Sequence, residues 1–143
     1  MRKIFHFFCC LVLFLATGQL SATSFDVVNT GSNMTVFVTP GTTMSGDVSQ
    51  VDQVGIFYTS DGGELVCAGV GSFDVAGGFQ ITLWGSEAGA DNGMAAGEAL
   101  TWKAKTSGGA SYDVSATYTS DAMSTYSLNS ISYVVGLAFD IDE

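Results

Sequence analysis

The chain predicts an all-β fold, a two-sheet antiparallel β-sandwich of Ig-like or jelly-roll-like type with about eight strands. Three observations lead there. Short runs of alternating apolar and polar residues recur along the chain, at roughly the 8–12-residue spacing of sandwiches and barrels. Glycine pairs punctuate them at Gly62-Gly63, Gly77-Gly78 and Gly108-Gly109, as tight hairpin turns with φ > 0 require. No stretch of useful length carries the helical period.

The N-terminus reads as a secretion signal. Arg2 and Lys3 precede an apolar run, Ile4 to Ala16, and a small-residue exit from Thr17 to Ala22. That run of 13 residues is shorter than the span of about 20 that crosses a bilayer. Cleavage is expected after Ala22, with Ser24 as the alternative. The domains are then residues 1–22, the signal peptide, and residues 23–143, one sandwich domain. The expected location is secreted, extracellular or on the cell surface, without membrane insertion of the mature chain.

The strands follow in order. Met34–Thr39 is an early strand ended by Pro40, whose missing N–H does no harm at a strand end. Asp61-Gly62-Gly63 should join a strand near Val54–Thr59 to one beginning at Glu64, and Gly77-Gly78 should return that strand into Phe79–Trp84. Ser107-Gly108-Gly109 should join Glu98–Thr106 to Ala110–Thr119. Alternate side chains of a strand point to opposite faces. Leu100, Trp102 and Ala104 therefore share one face and Thr101, Lys103 and Lys105 the other. Tyr112, Val114, Ala116 and Tyr118 point to the core. Ile131–Phe139 is apolar on both parities, which predicts a central strand.

Composition excludes most chemistry. Removing residues 1–22 takes away the only histidine and the only arginine and leaves Cys67 as the single cysteine. Serine triads, cysteine–histidine pairs and histidine-bound metals are then excluded, as is an internal disulfide. The mature chain of 121 residues keeps two lysines against 14 carboxylates, a net charge of −12, which argues against nucleic acid as a partner. Cys67 lies among small residues with no cation nearby in sequence and is expected to be a buried, inert thiol. No enzyme is expected. The one pair of carboxylates worth weighing for glycoside hydrolysis, Glu87 and Glu98, flanks a loop.

Two groups of residues remain as candidate sites. Phe37, Phe57 and Trp84 fall on the parity opposite each strand's main apolar set, so they are candidates for an exposed aromatic platform of the kind that stacks on sugars or docks subunits. The loop Gly85–Gly97 and its edge carry Glu87, Asp91, Asn92 and Glu98, oxygen donors of the type calcium takes. The spacing is not that of an EF-hand, and a solvated acidic loop is the simpler reading. No other cofactor is expected.

The stretches Val66-Cys67-Ala68-Gly69-Val70-Gly71, Gln80-Ile81-Thr82-Leu83-Trp84-Gly85, Ala96–Lys103 and Thr125–Ser132 together resemble a small β-sandwich domain. Such domains occur in large secreted and surface-associated proteins of marine and Bacteroidota-type bacteria. The resemblance spans most of residues 33–135 and implies adhesion or scaffolding. Family members often carry an Asp-rich loop after the Trp-Gly pair, and here Ser86–Asp91 holds fewer acids. The expectation is a secreted, non-enzymatic structural or adhesive protein whose partners are itself or other surface proteins. Thr30–Gly46 is free of charge, and an exposed sheet edge or the segment Ser24–Asn29 would add to a neighbour's sheet by β-strand addition. The alternative is a carbohydrate-binding module that uses the exposed aromatics to hold polysaccharide.

Overall fold

The computed structural model describes residues 23–76 and 78–141. The expected signal segment, residues 1–22, lies outside them, as do Asp142 and Glu143 of the acidic tail. Among the described residues there are seven strands and no helix: β1 (Asn33–Ser45), β2 (Val51–Thr59), β3 (Leu65–Ser72), β4 (Phe79–Trp84), β5 (Thr101–Thr106), β6 (Ser111–Tyr118) and β7 (Ile131–Phe139). They form one sheet in the order β3-β2-β5-β6-β7-β1-β4. Neighbours run antiparallel except β7 and β1, which are parallel.

The all-β reading holds, but the expected two sheets of about eight strands are one mixed sheet of seven, curled until its edges meet. Register shifts drive the curl. They fall between Val38 and Thr43, Ile56 and Phe57, Val51 and Gln53, and Thr117 and Tyr118. Each extra residue bends its strand and steepens the twist, which is how a sheet turns corners toward closure. The early strand also runs longer than expected. It passes through Pro40 and resumes pairing with β7 at Thr43, because the bulge absorbs the residue that cannot donate.

The turn before Phe79 does not fold β4 back onto β3 as a hairpin. Among the described residues β3 pairs only with β2, and β4 only with β1. The two edges close the barrel by packing instead. A Cβ at Gly69 would stand 2.2 Å from the Thr82 carbonyl oxygen, so a side chain there would push the edges apart. Close packing of the two edges stands where the ladder is missing.

Alternation then assigns the inside. Met34, Val36 and Val38 of β1, Val54 and Ile56 of β2, and Ile81 and Leu83 of β4 are fully buried. Leu100, Trp102, Ala104 and Val114 are buried as their parity predicts. Trp102 donates its indole N–H to the Tyr118 hydroxyl at 2.7 Å, so this polar edge enters the core with a partner. β7 lies between β6 and β1, as its apolar character predicts, yet only one of its faces is covered. Val134, Leu137 and Phe139 point inward, while Ile131, Tyr133 and Val135 are exposed.

Candidate binding face

The outside of the barrel carries two aromatic groups, and their surroundings differ. On β2, Phe57 points out of the barrel yet has no solvent exposure, because the segment before β1 lies over it. Phe25 meets it edge-on, with ring centroids 5.1 Å apart and planes at 83°. Gly55, two residues along, makes the seat: a Cβ there would come within 2.9 Å of the Phe25 ring. Lys105 brings its ammonium to 5.7 Å from the Phe25 centroid. Cys67 completes this pocket. Burial pushes its thiol up to about 11, and Sγ donates to the Gly69 carbonyl at 3.4 Å. The expectation that Phe57 is part of an exposed platform is therefore corrected, since parity says which way a ring points but not what covers it.

On the other side, β4, β1 and β7 present a second outer face. Register places Gln80, Phe37 and Tyr133 in one cross-strand row, because Phe37 pairs with Gln80 of β4 and with Tyr133 of β7. Strands lie about 4.8 Å apart, so this row spans ~10 Å. Phe37 and Tyr133 stack with centroids 5.8 Å apart and planes 19° from parallel. The next row is Thr82, Thr35 and Ile131. Trp84 is half-buried and pairs with Asn33, four residues from Gln80 along β4, which is about 13 Å at the rise of a strand. Phe37 and Trp84 thus share a face without forming one platform. The ring that does join Phe37 is Tyr133, which parity alone did not single out because both faces of its strand are apolar.

A pocket of about 330 Å³ opens beside this row, between Phe37, Thr39, Pro40, Phe79, Gln80 and Tyr133. Its walls are held by the β1 bulge. The Thr42 hydroxyl lies 2.7 Å from the Thr39 carbonyl and 3.0 Å from that of Val134, which ties the bulge to β7. Gly78 takes φ +74°, and a Cβ there would stand 2.6 Å from the Val38 carbonyl oxygen, so only glycine lets the turn close so tightly on β1. Among the described residues, neither the Gln80 carboxamide nor the Tyr133 hydroxyl has a hydrogen-bond partner.

The acidic loop is organised by its own side chains. Asn92 accepts from the Glu87 amide at 3.0 Å and donates to the Glu87 carboxylate at 2.8 Å. Asp91 accepts from the Asp61 amide at 2.8 Å, tying the loop to the β2–β3 turn. Glu98 accepts from the Thr59 amide at 2.9 Å and the Ala95 amide at 3.0 Å, one for each oxygen. The nearby charges of Asp91 and Glu98, after burial itself, push the Tyr58 hydroxyl above its usual value. Asp91 and Glu98 thus meet at the end of β2 as ties between segments, while Glu87 pairs with Asn92. Among the described residues, no three His, Cys, Asp or Glu side chains are grouped to hold a metal ion.

The uncovered face is also distinct in charge. β1, β4 and β7 contain no Asp, Glu, Lys or Arg over their 13, 6 and 9 residues. The strands β2, β5 and β6 carry Asp52, Lys103, Lys105 and Asp113, with Lys103 and Asp113 paired at 2.6 Å. In a chain of net charge −10, the outer surface of β4, β1 and β7 is neutral, partly apolar and open. No family model, curated protein or solved structure matches this chain.

Proposed function

We propose that this is an exported, non-enzymatic adhesive or structural protein of the bacterial surface or extracellular matrix, and that it makes its contacts through the outer face of β4, β1 and β7. The observation that carries this reading is the exposure of Ile131, Tyr133 and Val135 at 53%, 45% and 39% beside Phe37, on strands without a charge. An apolar stripe of that kind marks a contact surface in a secreted domain, and uncharged strands leave association unopposed. The signal-like layout of residues 1–22 supports export, and the resemblance of the sequence to surface-protein β-domains is read the same way. Self-assembly through residues 24–29 would first have to withdraw Phe25 from its seat on Phe57, giving up about 2 kcal/mol of burial.

Light scattering at micromolar protein in millimolar calcium, with retention on protein- and polysaccharide-coated surfaces, tests the proposal. Assembly or retention is expected, and Tyr133→Asp should abolish it by placing a charge on the stripe. A monomer that adheres to nothing would sink the reading.

A further inference from the structure

The pocket beside Phe37 has features that go beyond a sticky surface. Its lining has no charged side chain, so neither an anion nor a cation finds a complementary group there. Its apolar surface comes from Phe37, Pro40, Phe79 and Tyr133, and its free polar groups are the Gln80 carboxamide and the Tyr133 hydroxyl. Pyranose sugars have the matching chemistry: C–H faces that lie against rings, with hydroxyls around the edge that both donate and accept. A carboxamide offers both roles at once, and so does a phenol. The 330 Å³ volume lies at the small end of the range for ligand pockets, about 300–1,000 Å³. The Thr42 hydroxyl and the tight Gly78 turn hold the walls in place before any ligand arrives, which lowers the ordering cost of binding.

We infer that this pocket binds a neutral polysaccharide, with one pyranose unit against Phe37 and Tyr133 and its hydroxyls hydrogen-bonded to Gln80. The inference rests on the reading of this face as the contact surface, and supplies that surface with a ligand class. It does not involve Trp84, which lies two rows away.

The test is affinity electrophoresis of the protein, expressed from its full sequence, through gels containing β-glucan, xylan or galactomannan, with alginate as an anionic control. At least one neutral polymer should retard the wild type, and alginate should not. Tyr133→Ala and Phe37→Ala should each weaken retardation about tenfold, the upper end of one aromatic contact. Gln80→Glu, an exposed change that leaves the barrel interior untouched, should weaken it several-fold. Leu65→Ala, six residues along β3 from the Gly71 that packs on Gln80, should leave it unchanged. Urea denaturation reports whether each variant is folded.

Retardation that persists undiminished in folded Tyr133→Ala and Gln80→Glu would overturn the inference. So would the absence of retardation on every neutral polymer. If the protein then still assembles or adheres, and Tyr133→Ala removes that assembly, the face is a protein contact and the adhesive reading stands without the sugar. If it neither binds polysaccharide nor associates, both fall together.

Discussion

Phe57 and Phe37 are both aromatic residues on the outward parity of a long strand, and they have opposite fates. Phe57 lies under Phe25 and beside Cys67 with no exposure at all. Phe37 keeps an open side and is flanked by Tyr133 and Gln80, which are themselves exposed. The difference begins with the neighbours. Gly55, two residues from Phe57, leaves room for a second ring to descend onto the sheet, and the segment before β1 supplies that ring. The position two residues before Phe37 is Thr35, which carries a side chain where Gly55 has none. The outer surface of a small barrel is therefore divided into a covered part that adds to stability and an open part that is free to bind.

Removing the covered ring should have the largest effect. Phe57→Ala empties a fully buried site and should lower unfolding free energy by about 3–5 kcal/mol, measured by urea denaturation. A loss below about 1 kcal/mol would mean that the cluster around it contributes little beyond the barrel core.

Removing the cover itself sharpens the comparison. Phe25→Ala should destabilise by about 2 kcal/mol and expose Cys67 to alkylation. The thiol's raised value sets a pH signature as well. Below pH 9 the thiol is protonated in both states, and its favourable burial is fully present. Between pH 9 and about 11 the unfolded chain gives up a proton that the folded chain keeps, so stability should fall as pH rises through that window. Tyr58, Tyr118 and Tyr126, also raised by burial, act in the same direction from pH 10 upward. Subtracting the pH profile of Cys67→Ala isolates the thiol's share. A thiol that alkylates as fast in the wild type as in Phe25→Ala would show that the segment does not shield it.

The open ring should matter least to stability. Phe37→Ala and Tyr133→Ala are each expected to lower it by about 1 kcal/mol, with a coupling of roughly 0.5 kcal/mol in the double variant from the cross-strand stack. A loss comparable to that of Phe57→Ala would mean that this face is structural rather than free to bind.

Much of this was legible along the chain. The turns Asp61-Gly62-Gly63 and Ser107-Gly108-Gly109 fall where glycine pairs place them, with Ser60 bonding to Glu64 at 2.8 Å and Thr106 to Ala110 at 2.9 Å. Parity assigns Leu100, Trp102, Ala104 and Val114 to the interior because a pleated strand has a period of two regardless of context. The candidate binding face was half legible. Phe37 could be singled out as an outward ring. Tyr133 could not, because both parities of β7 are apolar, although the period-two series Ile131, Tyr133 and Val135 on a charge-free strand is the signal that marks it. The carboxylates of the 85–98 region read as a loose acidic loop, yet each accepts a hydrogen bond, from Asp61, Thr59, Ala95 or Asn92. Those partners lie in other segments or across a turn, which composition does not reveal.

By itself the sequence determined the β class, the turns and the inward set of side chains, because these depend on local geometry and on a periodicity that each strand carries alone. Whether the strands made two sheets or one curled sheet was decided in three dimensions. Bulges such as that between Val38 and Thr43 form only when a partner strand is present to be mismatched. Tertiary structure likewise chose which outward rings were buried. Phe25 reaches Phe57 from 32 residues away in sequence, whereas Phe37 finds Tyr133 96 residues downstream and stays half-buried. Burial is a property of what lies across space, and no local pattern in the strand encodes its cover.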